Sequence, residues 1–268
     1  MTPPGYFTDD SMLRRLQREH VVGLAGPRSL LMQATHPVAF AGFFALTGSL
    51  EDPYGRLQRT ARVLDAIGFG SREEADRATR RVRAIHRRLR GELAEPVGRF
   101  PAGTPWAADS PKLLLWILGT LVESNLLVYQ RYVGPLTRDE RQAYWEDFKV
   151  VGKLFALRRR DMPDTIEDFE AYMAAMLASG DLHVSPQARE LAIDVVMRPP
   201  LPGVLLPVRE MINQVTVGLL PAEIRRLYGF RWDPVRAAAV RGQQEYLRRA
   251  VVPALPRKLR FVPSSQLG

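Results

Sequence analysis

The chain has 268 residues, 46% of them hydrophobic, which is enough for a substantial core. It contains no cysteine, and this excludes a disulfide framework, a thiolate metal ligand, a zinc knuckle and an iron–sulfur cluster. The net charge is +9, but 34 of the 38 basic residues are arginines spread over most of the chain, without a nucleic-acid-binding motif. We therefore expect no nucleic-acid partner.

The sequence also lacks the usual signals for export or membrane insertion. The first ten residues have neither a basic stretch nor an apolar stretch of the kind found in secretory signals. The longest apolar run, residues 113–122, is too short to cross a bilayer. We expect a cytoplasmic protein with no integral membrane segment.

Helix starts recur along the chain, because a capping residue precedes a proline four times, at Asp52, Ser110, Ser185 and Asp233. No alternation of period two indicates a strand. The pattern predicts an all-α fold of about ten helices in a single domain, 1–268, with the apolar segment 111–132 as its buried central helix. The predicted helices are 10–22, 27–46, 53–67, 72–90, 111–132, 138–157, 166–178, 186–197, 207–219, 221–228 and 234–252.

The predicted helix 72–90 carries the most informative histidine. Ser71 and Glu74 form a capping-box pattern, and the apolar positions of this helix recur at helical spacing. His86 falls on the same face, with Arg83 and Arg90 three residues before it and four after it. A neutral imidazole in an apolar wall edged by guanidinium groups would suit a haem iron and its propionates. A core histidine on a basic helix explains the pattern equally well.

Of the other histidines, His36 is the most unusual, since it precedes Pro37 inside an apolar helical stretch where proline bends a helix. It is either a cavity-lining acid or base, or a buried histidine bonded to a carbonyl that the kink frees. A role as a second iron ligand is a further alternative. His20 is predicted at the surface or in a cap, and His183 in a loop.

Glu123 interrupts the apolar helix 111–132, where a charge is unfavourable unless it is paired. We expect a salt bridge with an arginine, and Arg56 and Arg83 are the candidates. The alternative is a carboxylate that orients the imidazole of His86.

Motifs of other enzyme classes are missing from the sequence. The metal-hydrolase motif HExxH, the nucleophile elbow, the phosphate-binding loop, the dinucleotide fingerprint and the Glu-x-x-His pairs of di-iron bundles are all absent. A haem protein with one histidine ligand is the simplest chemistry that the residues leave open.

Four segments in order carry a family resemblance. They are GPRSLLMQATHPVAFAG at 26–42, DPYGRLQRT at 52–60, RAIHRRLRG at 83–91, and the stretch 110–140 that begins SPKLLLWILGTLVESN. This order resembles the MpaB and latex-clearing-protein (rubber oxygenase) family of haem-containing oxygenases. The resemblance implies a globin-like helical core and a b-type haem.

In that family pattern His86 matches the proximal iron ligand, and Arg56 and Thr60 match residues of the haem pocket. Arg59 stands where rubber-cleaving members carry a lysine near the iron, so we expect a small isoprenoid or lipid-like substrate rather than a polymer. Dioxygen would be the second substrate, an electron donor is possible, and His36 is a candidate acid or base. The predicted apolar pocket consists of Leu31, Phe40, Phe43, Phe44, Leu114, Trp116 and Leu118.

Two other functional classes remain open from the sequence. One is a haem protein that is not an oxygenase, such as a peroxidase or a carrier of haem or gas. The other is a haem-free helical module that binds a lipid or a partner protein.

Overall fold

The structure is a computed structural model that describes residues 5–45, 52–200 and 202–266, without the side chains of residues 43–45, 53 and 266. It confirms the predicted all-α class, since helices make up nearly all of its regular structure. The α-helices are α1 Met12–Gln17, α2 Ala25–Gln33, α3 Pro37–Ala45, α4 Pro53–Phe69, α5 Arg72–His86, α6 Pro111–Tyr132, α7 Arg138–Leu154, α8 Ile166–Ala178, α9 Pro186–Met197, α10 Leu206–Leu219, α11 Ala222–Tyr228, α12 Pro234–Tyr246, α13 Val252–Ala254 and α14 Arg257–Arg260.

Most predicted helix starts are confirmed at atomic detail. The Asp52 carboxylate accepts a hydrogen bond from the Gly55 amide at 2.8 Å, and Asp233 and Ser185 cap α12 and α9 in the same way. Ser71 and Glu74 form the full capping box of α5. Ser110 is different, because its side chain makes no capping bond at the start of α6.

Helix α6 is the buried central helix that its composition predicts. Its buried positions recur on nearly every side along its 22 residues, and α2 packs along it. By length and composition α6 is also the one helix, among the described residues, that could span a membrane. The core helix of a soluble protein passes the same test, so the cytoplasmic location stays a prediction.

Arg28 of α2 provides the partner of Glu123. The guanidinium is only 1% exposed; it donates to both carboxylate oxygens of Glu123, to the Ser124 hydroxyl at 2.6 Å and to the Leu219 carbonyl at 2.8 Å. The predicted salt bridge therefore exists, but the predicted partners were wrong. Arg28 is the partner because α2 packs along α6, whereas Arg56 and Arg83 lie on α4 and α5.

Several predicted helices are shorter than expected, and two of these differences affect candidate site residues. The predicted helix 27–46 divides into α2 and α3 around residues 34–36, just before Pro37, whose ring cannot continue a helix without a break. The predicted helix 72–90 ends at His86. The sequence placed Arg90 beside His86 on this helix, and that prediction was wrong because Arg90 lies beyond the end of the helix.

Arg90 belongs instead to a short hairpin that the sequence did not predict. Strand β1, Arg90–Glu92, pairs antiparallel with β2, Pro105–Ala107. The Trp106 ring lies flat against Gly91, where an added Cβ would come within 3.0 Å of the indole. Three residues per strand are too few to show an alternating pattern, which explains why the sequence gave no strand signal.

The C-terminal residues fold back onto the start of the chain. Glu19 is 2% exposed, and its carboxylate accepts from the Arg260 guanidinium at 2.7 to 3.1 Å. The Val262 amide donates to the Arg18 carbonyl at 2.8 Å, and His20 Nδ1 lies 2.9 Å from the Leu259 carbonyl. This places His20 at the surface in a tertiary hydrogen bond, in line with its predicted role.

Replacing Arg28 should destabilise the fold strongly. In R28A the Glu123 carboxylate loses its buried partner, so we expect the free energy of unfolding to fall by about 3 kcal/mol in urea titrations. The matched control is R77A, which removes an exposed pair between Arg77 and Glu73 and should change stability by less than about 0.5 kcal/mol. Equal losses in both variants would contradict a central role for Arg28.

Candidate functional site

The α4–α5 hairpin places Arg56 opposite His86. Only Gly70 and Ser71 separate the two helices, which pack against each other. Arg56 lies 15 residues before Ser71 and His86 lies 15 residues after it. Residues at equal distances from such a turn lie side by side, and the charge of Arg56 is indeed close enough to shift the pKa of His86.

His86 is the last residue of α5 and is half-buried. Burial lowers the pKa of its imidazole, the positive charge of Arg56 lowers it further, and the negative charge of Asp109 opposes the shift. The ring is therefore neutral at pH 7, which is the state that binds a metal.

Arg56 is the charged neighbour of that imidazole. Burial lowers its pKa to about 10, and the nearby charge of Arg59 contributes to the shift. The guanidinium remains charged at neutral pH, in surroundings where an anionic group would stabilise it.

The other two candidates on α4, Arg59 and Thr60, lie at the surface. Arg59 is exposed, and its guanidinium lies 3.3 Å from the carboxylate of Asp52. Thr60 is also exposed, and its hydroxyl donates to the Arg56 carbonyl one turn earlier at 3.1 Å. The structure thus brings Arg56 to His86, while the roles of Arg59 and Thr60 stay predictions.

Arg83 and Arg90 flank His86 in different ways. Arg83 is half-buried on α5, close to one turn before His86. Arg90 is exposed on β1; it donates to the Arg87 carbonyl at 2.8 Å and lies 3.6 Å from Asp109. Asp109 is the site residue that sequence reasoning missed, because only the β1–β2 hairpin brings it back to the end of α5.

The apolar face of α5 is covered at one end and open at the other. Ala75 and Thr79 are fully buried, Val82 is half-buried, and Ile85 is 40% exposed beside His86. Within the described residues, no cluster of three metal-ligating side chains could hold a bare metal ion. A haem needs only one imidazole, an apolar surface and cations for its propionates, and the end of this hairpin has all three.

His36 occupies a different environment. It is 7% exposed and caps α3, with Nδ1 accepting from the Ala39 amide at 3.4 Å. The partner of Nδ1 is thus one of the amide groups that the start of a helix exposes, and the alternative of a carbonyl partner stays a prediction. Burial lowers the pKa of His36, and the charges that act on it are those of Asp181 and Arg99 rather than those around His86. These separate surroundings argue against joint ligation of one iron.

The predicted apolar pocket is mostly packed core. Leu31 and Trp116 are fully buried, Leu118 is nearly so, and Phe40 and Leu114 pack against them half-buried. The side chains of Phe43 and Phe44 lie outside the described part of the chain.

A comparison with protein families matches most of the chain. The profile of the family described as ER-bound oxygenase mpaB/B'/Rubber oxygenase, catalytic domain, matches residues 13–252. The chain belongs to this family. The matched region of this mpaB/rubber oxygenase family member includes the whole α4–α5 hairpin with Arg56 and His86. Neither the curated proteins nor the solved structures give a match, so a globin-like core stays a prediction.

The lowered pKa values of His36 and His86 should make the protein sensitive to acid. Their pKa values lie below the ordinary value of about 6.5, so the protonated ring favours the unfolded chain. The part of the free energy of unfolding that depends on neutral imidazoles is fully present above that pH and is lost as the pH falls below it. In H36N, which keeps a capping side chain, we expect a smaller loss of unfolding free energy between pH 7 and pH 5.

The control is H20N, which replaces an exposed ring and should keep the wild-type loss. The measurement is a urea titration at each pH. A loss of wild-type size in H36N would show that the titration of His36 does not affect stability.

Proposed function

We propose that the chain is a haem b-dependent oxygenase that acts with dioxygen on a small apolar molecule, isoprenoid or lipid-like. Its membership of an oxygenase family supports the reaction class. The haem rests on one observation, the neutral imidazole of His86 beside the half-buried charge of Arg56 at the open end of the α4–α5 hairpin.

The chain has the residues to hold this cofactor. His86 would bind the iron, Arg83 would pair with a propionate, and Val82 and Ile85 would contact the ring. When bound, the haem would supply the binding of dioxygen and the one-electron chemistry that side chains lack.

The protein's own contribution is electrostatic. Burial and the charge of Arg56 keep the His86 imidazole unprotonated, so its ring nitrogen is free to act as a ligand at neutral pH. Arg56 also offers a fixed positive charge to anionic groups between α4 and α5. In the reaction, such a charge lowers the energy of negative charge that develops on oxygen.

The nature of Arg59 favours a small substrate. This arginine replaces the lysine that the resemblance places near the iron in rubber-cleaving members, and its guanidinium pairs with Asp52 at the surface. A residue held at the surface in this way is not available for chemistry on a polymer chain beside the iron, and a diffusible alkene does not require it.

Haem retention is the first test. After expression with a haem precursor, a pyridine haemochrome assay should find one haem per chain in the wild type and almost none in H86A. H20A and H183A should retain it, since neither residue lies at the hairpin end. A normal Soret band in H86A, or haem loss in H36A instead, would refute the ligand assignment. Absence of haem in the wild type after reconstitution with hemin would favour the helical binding module.

Turnover is the second test. The reduced protein should consume oxygen with one or more members of a panel of unsaturated isoprenoids and fatty acids, and labelled oxygen should appear in the products. Loss of one positive charge in R56Q should lower kcat about 100-fold. R62Q, an exposed arginine on the same helix, is the matched control and should keep the rate. Peroxide-dependent oxidation of phenols without any alkene product would identify a peroxidase.

A further inference from the structure

A cavity of about 520 Å³ lies between the C-terminal half of α6, the end of α10 and α12, on elements separate from the α4–α5 hairpin. This volume is typical of pockets for small molecules. A second cavity of about 320 Å³ shares Leu127 and Arg131 with it and continues along α6. The larger cavity is lined by Leu127, Arg131, Gly218, Leu219, Arg225, Trp232, Asp233, Pro234, Ala237, Val240, Arg241 and Gln244.

Positive charge dominates this lining. Three arginines face one carboxylate, that of Asp233, which already lies 3.3 Å from the guanidinium of Arg236. Within the described part of the chain, Arg131 and Arg241 form no ion pair. The cavity therefore has two arginines whose charges no carboxylate in it balances, and an anion would be attracted there.

Arg225 and Trp232 form one wall of the cavity, and Arg225 is held in place by backbone carbonyls. Arg225 donates to the Leu220 carbonyl and, at 3.4 Å, to the carbonyls of Val217 and Gly218, and its guanidinium lies 5.5 Å from the Trp232 ring centre. The indole packs so closely on Gly218 that an added Cβ would come within 2.7 Å of it. Because Arg225 is held by the backbone, Arg131 and Arg241 are the arginines available to a ligand.

Apart from Asp233 and Gln244, the rest of the lining is apolar. Leu127, Leu219, Val240 and Trp232 present hydrocarbon and aromatic surface beside the two arginines. An inorganic anion would use the charges but leave this surface in contact with water, whereas an anion with a hydrocarbon body would use both.

We propose that this cavity binds a carboxylate with a hydrocarbon body, the carboxylate pairing with Arg131 and Arg241 and the body lying against Leu127 and Trp232. Arginine suits this role because its planar guanidinium can donate two parallel hydrogen bonds to one carboxylate. The site is independent of the proposed haem site.

The test is isothermal titration of the full-length protein with decanoate below its micelle concentration. We expect one decanoate per chain, and an affinity at least tenfold lower in R131Q/R241Q. Two reference ligands separate the contributions of the charge and of the hydrocarbon body to the affinity. Decanol has the hydrocarbon body without the charge, and inorganic phosphate has the charge without the body. Both should bind at least tenfold more weakly than decanoate.

Three further variants localise the binding. A237F fills the cavity without changing its charge and should abolish decanoate binding, which keeps the test valid if the double variant is unstable. R160Q removes an exposed arginine elsewhere and should bind like the wild type. R62Q, which replaces an exposed arginine of α4, should also bind like the wild type, since Arg62 lies on another element. Wild-type affinity in R131Q/R241Q, loss of binding in R62Q, or equal binding of decanol would overturn the proposal.

Discussion

The buried guanidinium of Arg28 is the constraint on which the helix packing depends. A charge in the core is unfavourable by several kcal/mol unless its donors are satisfied, and those of Arg28 are satisfied only when Glu123, Ser124 and Leu219 are all in place. These partners come from the centre of α6 and the end of α10. One side chain therefore fixes the register of α2 along α6 and the position of the α10 terminus, where Leu219 also lines the arginine-rich cavity.

The geometry of the α4–α5 hairpin is set by the short turn between its two helices. The turn is stabilised by the capping box of Ser71 and Glu74, and the two free ends carry Arg56 and His86. At this end the apolar face of α5 is incompletely covered, as the exposure of Ile85 shows. An exposed apolar surface beside a neutral imidazole and a half-buried cation is a setting that suits a cofactor.

The sequence was informative wherever the signal was local. Most helix starts, the capping box of α5 and the central helix follow from residues close in sequence. Apart from helices that end early and the missing cap at Ser110, the failures were long-range. Arg28, the partner of Glu123, lies 95 residues away from it, and Asp109 reaches His86 only through a hairpin of three-residue strands. The environment of His36 was also beyond reach, since Phe100 and Asp181 approach it from loops without periodicity.

The distribution of arginine accounts for a net charge that might otherwise suggest nucleic-acid binding. Arg28 and Arg260 neutralise carboxylates placed in or near the core, and Arg56 adds charge at the hairpin end. Arg131 and Arg241 add it at a cavity where no free carboxylate balances them. Because part of the excess charge lies at the hairpin end and part at this cavity, we expect small anions with apolar bodies as partners. This agrees with a protein whose proposed cofactor, a haem with two propionates, is itself such a molecule.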